Sequence, residues 1–138
     1  MARFMAPLAG ELPTDSILVP VPLHRRRTWT RGFNQAALVA NELSKRLGLR
    51  AESRLLRRVR PTPPLKGMSL SQRKRTVQGA FRVAPDADLR GRTIVLVDDV
   101  LTTGSTSEAC AKALQRAGAE RVELVSWARV LRPAQLGL

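Results

Sequence analysis

The sequence predicts a single α/β domain with a Rossmann-like, mostly parallel central sheet flanked by helices. Short runs of aliphatic and β-branched residues alternate along the chain with segments of helical periodicity, which is the pattern of strands joined by crossover helices. One run, residues 93–97, is apolar or β-branched throughout, as is typical of a strand buried on both faces of a parallel sheet. A length of 138 residues fits one domain with a substantial core.

The first half of the chain begins with a strand and a helix. Residues 16–22 predict a short strand that ends in a proline-punctuated loop. Apolar residues at helical spacing over 33–47 predict a helix, and Gly48 suits the position just beyond its end. A second strand is expected at 53–57. Residues 58–72 hold three prolines, one glycine and many cations, so they predict a long loop.

The second half repeats the alternation of strands and helices. One or two helical turns are expected over 71–77, followed by strands at 79–83 and 93–97. A helix is expected to begin at 104 or 105, and the last strand covers 122–128. The predicted apolar stripe of that helix is Ala109, Ala113, Leu114 and Ala117.

Composition limits the classes of protein that fit. The net charge is +13, and residues 45–75 carry eleven Lys or Arg against one acid, Glu52. Such an excess is either a solvated arginine-rich surface or a field that attracts pyrophosphate, nucleotides or nucleic acid. No apolar run approaches a membrane span. The single cysteine, Cys110, excludes an internal disulfide and indicates a reducing cytoplasm, and we expect it to be a small core residue.

The candidate site follows the 93–97 strand. Asp98 and Asp99 come directly after it, and small hydroxyl residues with one glycine follow at 102–106. Carboxylates accept hydrogen bonds from vicinal hydroxyls and can hold Mg²⁺. Hydroxyls and amides at the start of a helix can surround a phosphate. Because open α/β sheets bind ligands at the carboxyl ends of their strands, the pattern predicts a site for a ribose phosphate.

Residues 94–106 resemble the phosphoribosyl-pyrophosphate (PRPP) motif of type I phosphoribosyltransferases, which has an apolar run, an acidic pair and Thr-Thr-Gly-Ser. Residues 19–24 and 31–35 resemble the ComF family of phosphoribosyltransferase-like proteins, and 58–62, 72–73 and 79–81 fit it more loosely. ComF proteins commonly carry an N-terminal four-cysteine zinc module, which a chain with one cysteine lacks. The resemblance implies a type I phosphoribosyltransferase fold with strand order resembling 3-2-1-4 and an added strand.

The resemblance also implies roles for individual residues. Asp98 and Asp99 would bind the ribose hydroxyls or the associated Mg²⁺, directly or through water. The turn at His24 and Arg25 corresponds to the pyrophosphate loop, and residues 58–75 to a mobile loop within one domain that spans 1–138. The residues assigned to the 5-phosphate are Thr102, Thr103, Gly104, Ser105 and Thr106. The signature and loop residues are Arg31, Gly32, Asn34, Gln35, Arg58, Arg60 and Arg73.

Two functions remain open from the sequence. An enzyme would bind PRPP with Mg²⁺ and transfer phosphoribosyl to an acceptor, releasing pyrophosphate. A non-catalytic module would keep the fold for natural competence and bind single-stranded DNA or a helicase partner. The intact acid pair and phosphate-loop hydroxyls favour the enzyme, whereas no segment that would select an acceptor is recognisable.

Overall fold

The computed structural model describes residues 12–22, 35–60, 62–63, 65, 67–101 and 105–129, without the side chains of 99–101 and 127–129. Three helices and six strands lie within these residues. The strands are β1 (Ile17–Pro20), β2 (Arg50–Ala51), β3 (Leu56–Arg58), β4 (Phe81–Val83), β5 (Thr93–Leu101) and β6 (Arg121–Arg129). The helices are α1 (Gln35–Leu47), α2 (Leu70–Val77) and α3 (Ser105–Arg116).

Four strands form a parallel central sheet in the order β2-β1-β5-β6. This sheet and its flanking helices confirm the predicted α/β class. The strands predicted at 16–22, 93–97 and 122–128 lie side by side as β1, β5 and β6, so this part of the expected order is observed. The strand predicted at 53–57 does not overlap β2, and its last two residues belong to β3. The strand predicted at 79–83 corresponds to β4, which pairs antiparallel with β3 in a separate two-stranded sheet.

Alternate residues of the two central strands face opposite layers, as a strand requires. Ile94 and Leu96 of β5 lie in a core cluster with α3 and the β3–β4 pair, whereas Val95 and Val97 pack in a second cluster with α1. All four side chains are buried, which explains why the sequence of this strand has no polar break. The sheet is therefore covered on both faces, and its strand ends are the part left for a ligand.

The predicted helices are present with small differences. Helix α1 ends where expected, because Gly48 adopts a φ of +68° and its amide donates to the Ser44 carbonyl at 3.0 Å. Helix α2 begins with a capping box in which Ser69 and Gln72 satisfy each other's backbone amides. The mobility expected of residues 58–75 stays a prediction. No helix within the described ranges is long and apolar enough to cross a bilayer.

The predicted apolar stripe of α3 is partly wrong. Ala113 and Leu114 are buried and Ala109 packs against the core cluster, as expected, but Ala117 is exposed and lies beyond the end of the helix. The buried residues of this helix are Ser105, Ser107, Cys110, Ala113 and Leu114. The inward face thus includes two serines and the cysteine, because the helix lies over the end of β5 that carries a carboxylate.

Candidate functional site

The carboxyl ends of β1 and β5 lie side by side at one edge of the sheet. The two strands are parallel neighbours, with Pro20 opposite Val97. The Val21 amide extends the pairing by donating to the Val97 carbonyl at 2.8 Å. The chain therefore leaves β1 next to the residue that precedes Asp98. This topology brings the start of the segment after β1 and the acidic end of β5 to the same edge, as the sequence analysis required.

Asp98 lies inside β5 and does not follow it. The sequence analysis ended this strand at residue 97, but the ladder with β6 continues through Asp98 opposite Ser126 and on to Leu101 opposite Arg129. The strand is longer because β6 supplies hydrogen-bonding partners along its whole length. The Asp98 side chain is 9% exposed. Its Oδ2 accepts a hydrogen bond from Ser107 Oγ of α3 at 3.0 Å.

The Cys110 thiol lies one helical turn beyond Ser107 and is fully buried, as expected of a core residue. Burial raises the pKa of this thiol well above its ordinary value. The negative charge of Asp98 raises the pKa further, and the positive charge of Arg58 opposes both effects. The thiol is thus protonated at neutral pH, and the charges of Asp98 and Arg58 both reach the interior between β5 and α3.

The three arginines from the loop that the sequence analysis nominated have different surroundings. Arg58 is half-buried at the end of β3, with its guanidinium 5.0 Å from the centre of the Phe81 ring. Its Nη1 also donates to Thr62 Oγ1 at 3.0 Å.

Arg60 and Arg73 make contacts within the segment that holds α2. Arg60 Nη2 donates to the carbonyls of Thr76 and Gln78, at 2.9 and 2.6 Å, and so satisfies the C-terminal end of α2. Arg73 Nε donates to the Met68 carbonyl at 3.1 Å.

The remaining nominated residues divide into described and undescribed groups. Ser105 is the first residue of α3 and is buried, Thr106 follows it and is half-buried, and Gln35 is the exposed first residue of α1. Asp99 belongs to β5, and its side chain is not described. The nominated residues that lie outside the described ranges are His24, Arg25, Arg31, Gly32, Asn34, Thr102, Thr103 and Gly104.

Sequence reasoning missed Ser107, which lies just beyond the PRPP-like motif. The available signal was its spacing: Ser107, Cys110 and Leu114 recur at intervals of three and four residues, which places them on one face of a helix. A serine on that face, aligned with the core and close in sequence to an acid pair, indicates a buried hydrogen bond.

A cavity of about 200 Å³ lies between α2 and α3, next to Ser105. We call it the α2–α3 groove. Its charged lining residues are Lys74, Arg75, Glu108, Lys112 and Arg116. Glu108 forms ion pairs with Lys112 at 3.4 Å and with Lys74 at 3.9 Å. Four cations against one acid make the groove a basic surface adjoining the N-terminal end of α3.

The structure has a parallel sheet whose acid-bearing strand, β5, faces a helix that begins with small hydroxyl residues, and comparison with known proteins assigns it to the class of phosphoribosyltransferase-fold proteins. The phosphoribosyl transferase domain family matches residues 32–135. The structure resembles a hypoxanthine phosphoribosyltransferase from Staphylococcus aureus with a TM-score of 0.58, at 14% identity over 91% of this chain and 67% of that one. It also resembles an adenine phosphoribosyltransferase with a TM-score of 0.57, at 14% identity over 99% and 68% of the two chains. At such identities the likeness shows the fold alone.

Curated relatives show to which branch of the phosphoribosyl transferase domain family the chain belongs. Competence protein F of Haemophilus influenzae is 35% identical over 120 residues, 86% of this chain and 52% of the relative. DNA utilization protein YhgH of Escherichia coli is 41% identical over 114 residues, 83% of this chain and 49% of the relative. Competence protein ComFC of Bacillus subtilis is 32% identical over 105 residues, 74% of this chain and 39% of the relative. The chain belongs to the ComF family of phosphoribosyltransferase-like proteins, and it spans about half the length of these relatives or less.

Proposed function

We propose that this chain binds PRPP together with Mg²⁺ and transfers the phosphoribosyl group to an acceptor. The observation that carries the proposal is the placement of Asp98. It is a buried carboxylate in the carboxyl-terminal half of a central parallel strand, and it accepts a hydrogen bond from the first turn of the following helix. A carboxylate near this edge of the sheet is the kind of group that would accept hydrogen bonds from the ribose hydroxyls of a ligand.

Magnesium fits the donor chemistry of the site. Mg²⁺ prefers oxygen ligands and usually binds through one or two carboxylates together with substrate phosphates and water. Among the described residues no group of three or more His, Cys, Asp or Glu side chains is arranged to hold a metal ion. Asp98 and Asp99 would hold Mg²⁺ together with PRPP, and the ion would neutralise negative charge on the pyrophosphate group.

In the proposed reaction a ring nitrogen or amine of the acceptor forms a bond to ribose C1. The bond from C1 to the pyrophosphate oxygen breaks, pyrophosphate leaves with both bonding electrons, and the acceptor nitrogen loses its proton. Positive charge develops on the ribose before the new bond forms, so catalysis depends on neutralising the leaving group and excluding water. The basic segments at His24–Arg25 and 58–75 are the chain's candidates for the first task.

Isothermal titration of the chain with PRPP tests binding. We expect Mg²⁺-dependent binding that weakens about 10- to 100-fold in Asp98→Asn, since hydrogen bonds to a charged group contribute about 1.5–3 kcal/mol. Asp86→Asn is the matched control, because Asp86 is an exposed acid near the opposite, amino-end edge of the sheet. The proposal is contradicted if the affinity for PRPP does not depend on Mg²⁺ or if Asp98→Asn binds PRPP with unchanged affinity. Pyrophosphate release, screened over nucleobases and amines, then tests transfer.

The α2–α3 groove favours a second candidate, a nucleic-acid-binding module. Lys74, Arg75, Lys112 and Arg116 would contact phosphates, and relatives carry names that refer to competence and DNA utilization. Scarce aromatic residues, 4% of the chain, argue against binding through base stacking.

Fluorescence anisotropy with a single-stranded oligonucleotide over a salt series tests this candidate. Removing two cations in Lys112→Gln with Arg116→Gln should reduce the slope of log affinity against log salt by about 1.4, at roughly 0.7 per phosphate contact. Arg54→Gln is the control, because Arg54 lines a cavity at the amino-end edge of the sheet. No binding at low salt removes this candidate. PRPP binding without pyrophosphate release favours it over the enzyme.

A further inference from the structure

The contact between Ser107 and Asp98 joins helix α3 to the acidic end of β5. Ser107 Oγ lies 3.0 Å from Asp98 Oδ2, and the two residues are 3% and 9% exposed. We infer that Ser107 is a positioning residue, which holds the Asp98 carboxylate in the orientation that receives the ribose hydroxyls and Mg²⁺ of a phosphoribosyl ligand. This inference rests on the function proposed above and adds a residue that the PRPP-like motif does not contain.

Packing alone gives no reason for a serine at position 107. Its neighbours on the buried face of α3, Cys110 and Leu114, are fully buried and belong to a core cluster. A hydroxyl on such a face costs free energy unless it makes a hydrogen bond. Alanine would occupy nearly the same volume and is the better helix former. The hydroxyl is therefore explained by its acceptor, Asp98, and not by its contribution to the core.

One hydrogen bond can orient the carboxylate and leave it able to bind. A carboxylate has about four lone-pair positions, and Ser107 takes one of them. Fixing Oδ2 against the helix restricts the rotation of the side chain before the ligand arrives. A group that is already ordered loses less conformational freedom on binding, so the contact increases affinity without touching the ligand.

The electrostatics agree with a carboxylate held toward α3. The charge of Asp98 acts on the buried Cys110 thiol, and the charge of Arg58 acts on the same thiol with the opposite sign. The carboxylate thus accepts a hydrogen bond from α3, and its charge raises the pKa of a thiol on the same helix. Ser107 contacts the carboxylate through its side-chain hydroxyl.

The test compares three variants in Mg²⁺-dependent PRPP titrations: Ser107→Ala, Ser107→Val and Ser107→Thr. We expect about tenfold weaker binding in the alanine and valine variants, which lack the donor. The threonine variant keeps the hydroxyl and should bind within about threefold of the unsubstituted chain. Valine and threonine have nearly the same shape, so their difference isolates the hydroxyl. Ser71→Ala, at an exposed position of α2, is the control for serine removal.

Each outcome decides at least one of the two proposals, the positioning role of Ser107 and the proposed function. If the wild-type chain binds PRPP and Ser107→Ala binds it with the same affinity, the positioning role is overturned and the proposed function stands. Equal weakening in the valine and threonine variants shows a packing effect and also overturns the positioning role. Absence of any Mg²⁺-dependent binding by the wild-type chain overturns both. If the threonine variant fails to fold, the alanine variant decides by itself, provided that its melting temperature matches the wild type.

Discussion

We expect the buried thiol of Cys110 to lower the free energy of unfolding as pH rises above about 9, and we expect Cys110→Ala to abolish this pH dependence. In the unfolded chain the thiol titrates with a pKa near 9.0, and in the folded protein burial and the Asp98 charge raise that pKa. Above pH 9 the unfolded state therefore binds fewer protons than the folded state. The free energy of unfolding must then fall as pH rises, and the contribution is fully present below pH 9.

The magnitude follows from the unfolded state alone as long as the folded thiol stays protonated. At pH 10 the ratio of thiolate to thiol in the unfolded chain is about ten. This ionisation lowers the free energy of unfolding by about 1.4 kcal/mol relative to pH 8. Cys110→Ala should lack this decrease. The chain contains no tyrosine, so no phenol adds a titration in the same range. Lysines contribute equally to both proteins and cancel in the comparison.

Urea denaturation of wild type and Cys110→Ala at pH 8 and pH 10, with reductant present, measures the difference. The stability gap between the two proteins should shift by about 1.4 kcal/mol between these pH values, in favour of the variant at the higher pH. A gap that stays constant within error refutes the reasoning. It would mean that the thiol titrates in the folded protein as it does in the unfolded chain, and hence that α3 does not bury it against β5.

Three further predictions concern the elements around the site. Leu114→Ala should lower the free energy of unfolding by about 3–5 kcal/mol, because the side chain is fully buried. The control Leu38→Ala, at a 51% exposed position of α1, should change the free energy of unfolding by less than about 0.5 kcal/mol. Urea denaturation of the two variants measures this difference. Ser69→Ala should cost about 1 kcal/mol by removing the capping box of α2, and faster hydrogen exchange confined to that helix would show it. Arg60→Ala should loosen the opposite end of the same helix by about 1 kcal/mol, and unchanged exchange at residues 76–78 would contradict that role.

The sequence was most predictive where local pattern and tertiary environment agree. The unbroken apolar run before Asp98 predicted a central strand, because a strand buried on both faces requires apolar residues at every position. Gly48 predicted the end of α1, because glycine adopts a positive φ more readily than other residues. The ends of β1 and β5 lie at one edge of the sheet because the two strands are parallel neighbours, and the ligand site expected at that edge stays a prediction.

The errors have a common physical cause, which is that strand pairing is decided by partners far away in the chain. Residues 53–57 were predicted as one strand, but the structure has β2 ending at Ala51 and β3 beginning at Leu56. Local propensity cannot reveal that β3 pairs with β4 and leaves the parallel sheet. The extension of β5 past Val97 likewise depends on β6. Ser107 was missed because a serine near a helix start is ordinarily a cap.

Because β3 pairs with β4, the segment between these two strands can be replaced without changing the parallel sheet. None of the backbone hydrogen bonds of the parallel sheet is donated or accepted by these two strands. Six apolar residues of residues 56–83 join or pack against the core cluster that contains α3: Leu56, Leu65, Val77, Ala80, Phe81 and Val83. Replacement of the other residues of this segment, with those six retained, would leave the parallel sheet intact. Variation in that segment would therefore leave unchanged the edge of the sheet at which β1 and β5 end.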